Sequence, residues 1–143
     1  TRGVIAGGTN FEFQKRNEIK YVTIQTLGDT TDFGDLLSST SDMGGCSDRT
    51  RGIFAGGTAA SGQNVIQYIT IQTTSNSTDF GDLTAVRPRA TAISNATRAV
   101  IGGAALSSTA TTIDYITIQT LGNASDFGDQ TIGLSYMGGA SGT

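Results

Sequence analysis

The chain has no histidine and no tryptophan, and among its 143 residues it has one proline and one cysteine, Cys46. Without histidine it lacks the side chain whose charge changes near neutral pH. The usual Ser-His and Cys-His nucleophile pairs and the commonest neutral metal ligand go with it. A single cysteine excludes an intrachain disulfide and a cysteine-based metal cluster. Basic charge is scarce too: nine Lys and Arg against twelve Asp and Glu leave a net charge of -3, and the basic residues are scattered. A nucleic-acid surface needs a basic stripe to exchange counterions, so no nucleic-acid partner is expected. No apolar run approaches the roughly 20 residues of a membrane helix, and no charged stretch followed by an apolar one opens the chain, so no membrane span is expected. The first residue is Thr1, the opening expected of a processed chain or of a piece of a longer one.

What is present is glycine, 20 residues of it, with Ser and Thr in short runs. This composition predicts short strands joined by tight turns. Above all there is repetition. YVTIQTLGDTTDFGD at residues 21–35 returns as YITIQTTSNSTDFGD at 68–82 and as YITIQTLGNASDFGD at 115–129, an unvarying step of 47 residues. Such a step marks an array of stacked units, here about 1–49, 50–96 and 97–143.

Each unit opens on an apolar run closed by small residues: TRGVIAGG from Thr1, TRGIFAGG from Thr50 and TRAVIGG from Thr97. A strand ending in a glycine turn is predicted there. A segment of variable length and chemistry follows, read as a loop and as the place where binding specificity resides. In the next strand Ile19, Tyr21, Thr23 and Gln25 alternate with Val22, Ile24 and Thr26. Both faces carry apolar groups, so the strand is expected in a sheet covered on both sides. A hairpin turn around Asp29, Asn76 or Asn123 follows, then one aromatic per unit, Phe33, Phe80 or Phe127, as a packing anchor. Each unit closes on a run of Gly, Ala and Ser suited to a crowded inner edge. One unit thus holds about four short strands, the content of a propeller blade.

This order of features resembles a kelch-type repeat. In that family an arginine-led apolar strand ends in a glycine pair, and a variable loop, a Tyr-bearing strand, a polar turn and an aromatic on the outer strand follow. Here Arg2, Gly7, Gly8, Tyr21 and Phe33 hold those places, as do Arg51, Gly56, Gly57, Tyr68 and Phe80, and Arg98, Gly102, Gly103, Tyr115 and Phe127. The likeness covers the whole chain and departs from the family where kelch blades usually carry Trp. It implies an all-β propeller. The wording of the repeat also looks like repetitive proteins of marine bacteriophages, which implies a virion or extracellular protein such as a tail-fibre component. Propellers generally have roughly 4 to 8 blades, so three units imply further repeats in a longer chain, or a homo-oligomer. A β-trefoil, complete with three four-stranded units, is the alternative.

DFGD is not read as the magnesium-holding motif of kinases, which needs a catalytic histidine segment and occurs once. Asp29, Asp32 and Asp35 do not have the spacing of a calcium loop, and no metal or cofactor is expected. Asn76, Asn95 and Asn123 begin glycosylation sequons but are read as turn residues. Repeat-invariant Arg2, Arg51 and Arg98 are expected to pair with Asp residues of their own or a neighbouring unit. Residues peculiar to one unit are the binding candidates: Phe11, Phe13, Lys15 and Arg16 in the longest loop, and Arg87, Arg89 and Tyr136 on connections between units. The expected function is a non-enzymatic structural or adhesive binding module for protein partners or a surface glycan. A carbohydrate-binding lectin is the alternative.

Overall fold

A computed structural model describes residues 1–103 and 111–141, so most of the third variable loop lies outside it. The described residues form eleven strands and no helix. β1 (Arg2–Ala6), β2 (Glu18–Thr23) and β3 (Thr31–Asp35) make a first sheet. β4 (Gly44–Ser47), β5 (Arg51–Ala55), β6 (Val65–Thr70) and β7 (Thr78–Asp82) make a second. β8 (Thr91–Ser94), β9 (Arg98–Gly102), β10 (Thr112–Thr117) and β11 (Ser125–Asp129) make a third. Within each sheet the strands run in chain order, every neighbour is antiparallel, and no sheet is closed. The β-trefoil alternative needs strands closed into a barrel, so the chain does not adopt it.

The sheets are out of phase with the sequence repeat. The small-residue run at the end of one unit pairs with the arginine-led strand of the next, β4 with β5 and β8 with β9. A local cause is visible in the short turns between them. Asp48 Oδ1 accepts the N–H groups of Thr50 and Arg51 at 2.9 and 2.7 Å, and Asn95 Oδ1 accepts those of Thr97 and Arg98 at 2.8 and 2.7 Å. A capped turn this short folds the chain straight back into a hairpin. The described part of the first sheet accordingly has three strands.

The repeated DFGD is a β-bulge. On β2 the register steps from Ile19 opposite Gly34 to Lys20 opposite Asp32, leaving Phe33 as the extra residue, and Phe80 is left over in the same way on β7. Gly34 and Gly81 both have φ of +144°, which L side chains rarely adopt. The bulge turns the phenyl ring into the gap between sheets, where Phe33 and Phe80 are buried.

The sheets stack face to face in order. Ile19, Phe33, Leu36 and Ile69 fill the first gap, with Tyr21 and Phe54 packed against them. Ile53, Ile66, Phe80, Leu83, Ile101, Ile116 and Ile118 fill the larger second gap. The middle sheet has both faces covered, as expected of an apolar strand with period two. The outer sheets depart from that expectation, because each has one face in water: Ile5 and Ile24 are exposed on the first sheet and Phe127 on the third.

A test of the stacking compares two glycines in one motif. A Cβ on Gly81 would lie 2.5 Å from the Gly122 carbonyl oxygen across the gap, whereas one on Gly128, at φ +140°, meets nothing within 4 Å. Both alanine variants strain the backbone, by roughly 1–3 kcal/mol, but Gly81→Ala must also push the sheets apart. Its melting temperature is expected to fall clearly further than that of Gly128→Ala, and equal losses would refute close approach as the reason for the glycine.

Candidate binding surface

The repeated residues form a clamp used three times. Arg2, Arg51 and Arg98 lie over the rings of Tyr21, Tyr68 and Tyr115, with the guanidinium carbon 4.4, 4.7 and 4.3 Å from the ring centroid. Each tyrosine meets Phe33, Phe80 or Phe127 edge to face at 6.1, 6.0 and 6.1 Å. Among the described residues these arginines make no ion pair with Asp, contrary to the expectation. Arg2 Nη1 donates to the Ile71 carbonyl at 3.1 Å and Arg51 Nη1 to the Ile118 carbonyl at 2.9 Å, each on the following sheet. A stacked, partly desolvated guanidinium still needs acceptors, and the end of the neighbouring strand offers one. The repeat-invariant charge therefore serves the interface between sheets through backbone rather than carboxylate.

The variable residues gather elsewhere. Because every sheet is an antiparallel meander, the connections after β1, β3, β5, β7 and β11 emerge at one end, while the polar β2–β3, β6–β7 and β10–β11 turns emerge at the other. All seven binding candidates sit at the first end. The loops there are tied together: Gly8 N–H donates to the Thr40 carbonyl at 2.9 Å, Ser41 N–H to Thr58 at 3.0 Å, and Gly57 N–H to Arg87 at 2.8 Å.

The β1–β2 loop is held by its own hydrogen bonds. Asn10 Oδ1 accepts the N–H groups of Glu12 and Gln14 at 3.0 and 2.8 Å, Asn10 Nδ2 donates to Gln14 Oε1, and Thr9 bridges Lys15. This closed tip leaves Phe11 and Phe13 fully in water, with Phe13 at φ +60°. A bulky residue there is strained, and its ring gains no burial in return. Lys15 donates to the Ala59 carbonyl on the next sheet's loop, and Arg16 pairs with Glu18. The hydrogen bond from Arg16 holds the Glu18 carboxyl down at about 2. Lys15 and Arg16 thus brace the loop that presents the two rings.

Arg87 is corrected from a binding candidate to a buried structural residue. Its Nε donates to Asp114 Oδ2 at 3.3 Å, its Nη1 donates to the Gly103 carbonyl at 3.0 Å, and its Nη2 lies 3.1 Å from Asp114 Oδ1 without hydrogen-bond alignment. Asp114 also accepts from Thr84 N–H at 3.0 Å and Thr84 Oγ1 at 2.6 Å. Both ionic side chains are buried in the second gap. At the same place in the first gap Thr40 stands for Arg87 and Gln67 for Asp114, and Gln67 Oε1 accepts from Leu37 N–H at 2.9 Å and Ser77 Oγ at 2.7 Å. Gln67 and Asp114 were not singled out in the sequence. The available signal was a polar residue, different in each unit, in the middle of an otherwise apolar strand. Arg89 and Tyr136 are brought together, with the guanidinium 4.4 Å from the centroid of the exposed ring.

A cleft of about 380 Å³ runs along β4, β8 and residues 139–141, lined by small side chains and backbone. Its one thiol, Cys46, is pushed up to about 11 by burial, so it is protonated and unreactive at neutral pH. Among the described residues no three His, Cys, Asp or Glu side chains converge as metal ligands, and no helix is long and apolar enough to cross a membrane. No family model matches the chain, and no curated protein is significantly similar to it.

Arg51→Ala removes one charged hydrogen bond and one stacked cation. A loss of about 2 kcal/mol is expected by denaturant unfolding, with the Phe11 loop unchanged. Asp114→Ala should cost more, about 3 kcal/mol or above, because it strands a buried guanidinium. The double variant Arg87→Thr, Asp114→Gln copies the neutral solution of the first gap and should recover much of that loss. A double variant no more stable than Asp114→Ala would show that the ion pair is not interchangeable with the neutral arrangement.

Proposed function

We propose that the chain is three consecutive blades of a kelch-like β-propeller and serves as a non-enzymatic structural or adhesive binding module, on a virus particle or otherwise outside a cell. The face-to-face stacking of three meandering sheets, with the small-residue strands β4 and β8 side by side, supports the propeller part. The binding part rests chiefly on the rigid loop that holds Phe11 and Phe13 out in water. Aromatic rings fixed in advance lose little freedom when a partner covers them, and aromatics with arginine dominate interface energetics. Arg89 and Tyr136 add a second aromatic and cationic spot at the same end of the sheets. The location is taken from the expectation raised by the repeat's wording, its resemblance to repetitive proteins of bacteriophages.

The ligand is a protein partner or a surface glycan. A lectin is the second reading, carried by the same two rings, since a flat exposed aromatic can stack on the C–H face of a sugar. Labelled protein applied to a glycan array and to intact bacterial cells tests both. Binding is expected to fall at least tenfold in Phe11→Ala, Phe13→Ala at an unchanged melting temperature. Competition by a free sugar selects the lectin, and loss after protease treatment of the cells selects a protein partner. Binding that survives loss of both rings refutes the assignment.

A further inference from the structure

The two open faces of the stack are the two halves of one interface, and we propose that a second copy of this chain occupies them, first sheet of one against third sheet of the other. The inference rests on the stacked-blade part of the proposed function and not on what Phe11 and Phe13 bind. The chain builds this interface twice within itself, so what each half must present is known. On the incoming side Ile71 and Ile118 are 9% and 0% exposed, while their counterpart Ile24 is 64% exposed; Ile101 is 0% exposed and its counterpart Ile5 59%. On the receiving side Phe33 and Phe80 are 2% and 3% exposed, and their counterpart Phe127 is 52%. Ile24 and Phe127 are exposed at the ends of the stack where their counterparts are buried, and Ile5 is exposed where Phe54 is half-buried and Ile101 buried.

The polar contacts point the same way. Arg2 and Arg51 each reach the carbonyl of an isoleucine on the next sheet, and Arg98, held over Tyr115 in the same manner, has Ile24 of a second copy as its equivalent acceptor. Asp35 and Asp82 donate their N–H groups to the Oδ1 atoms of Asn76 and Asn123, both at 3.0 Å. Asp129 N–H finds the equivalent acceptor in the Asp29 carboxylate of a second copy. A further position differs more. Gln67 and Asp114 accept the N–H groups of Leu37 and Thr84, whereas Lys20 occupies that place opposite Thr131 and cannot accept. The contact between copies therefore lacks one bond that the internal gaps have and is the weaker of the three.

Such a pairing is heterologous, because different patches meet, and it yields a ring only if the rotation closes. Two copies of the three described sheets make six, within the roughly 4 to 8 blades of propellers, and are the closed form proposed.

Light scattering or sedimentation equilibrium over a concentration series tests this on the chain as it stands. The expected result is a reversible species with the mass of two chains. Ile24→Asp and Phe127→Asp, each at an exposed position and checked for retained strand content by circular dichroism, should be monomeric. An equimolar mixture of the two should again form dimers, through the one undamaged pair of faces. Lys20→Gln should shift dimerisation to lower concentration. A wild type that stays monomeric, a dimer that survives both Asp variants, a dimer broken by only one of them, or assemblies growing beyond two copies would each overturn the proposal. A monomer that still binds cells would leave the binding function standing and assign the open faces to further repeats of a longer chain.

Discussion

A sheet with apolar groups on both faces is not stable alone in water, and every feature of this chain answers that constraint. The period-two pattern of β6 buries Ile66 toward one neighbour and Ile69 toward the other, so the middle sheet takes its stability from the two gaps rather than from within itself. Burial of this kind is roughly proportional to the apolar area removed from water and needs no special geometry. Register and spacing do need it, and they are set by polar and steric devices at the rim of each gap. The arginine clamp ties the end of one sheet to the end of the next. The Asn76 and Asn123 amides cap backbone N–H groups across the same rim. The bulge glycines let the opposing turn come within contact of the backbone.

The two gaps are alike in their apolar parts and different in their polar ones. Thr40 and Gln67 in the first and Arg87 and Asp114 in the second occupy equivalent places, and in each gap the strand residue, Gln67 or Asp114, accepts an N–H group near the start of the β3–β4 or β7–β8 connection. A buried ion pair contributes less than its Coulomb energy suggests, since both ions lose their water. What it adds here is distinctness: a sheet whose partner offers Asp114 is mismatched with one that offers Gln67 or Lys20. Repeats that are otherwise similar can pair out of order, and different polar groups at one buried position penalise that error.

Much of the scaffold was legible from residue order alone. The 47-residue step, the alternation in the Tyr-bearing strand and the polar turns led to an all-β chain of short strands in three units, and eleven strands in three antiparallel sheets are observed. The phase of the sheets was not legible, because a repeat has no beginning: small residues before Arg51 look like the end of one unit or the start of the next until Asp48 is seen to cap the turn between them. The partners of Arg2 and Arg51 were misread as Asp because a backbone carbonyl 69 or 67 residues away leaves no mark in the sequence. Arg87 was misread for a related reason. An arginine on a connection is normally solvated, and its burial depends on Asp114, which stands alone in its unit and belongs to no motif. Phe11 and Phe13 were singled out by the opposite criterion, as residues the repeat does not need, and both rings are exposed.

That criterion has a physical basis at Phe13. A side chain that repeats is held in place by the requirement that each gap be filled alike, so its identity reports on packing. Phe13 fills no gap, adopts a backbone conformation unfavourable for its type, and exposes an apolar ring to water. Each of these opposes folding or solubility, and no contact among the described residues buries the ring. The neighbouring Asn10 network, by contrast, spends several hydrogen bonds on fixing this tip alone. A loop that served only to join β1 to β2 could be as short as the two-residue turns common in hairpins, with neither ring. Under the proposed binding function the compensation for the strain and exposure of Phe13 comes from a surface that covers the ring, and the rigidity of the tip lowers the entropy lost when it does.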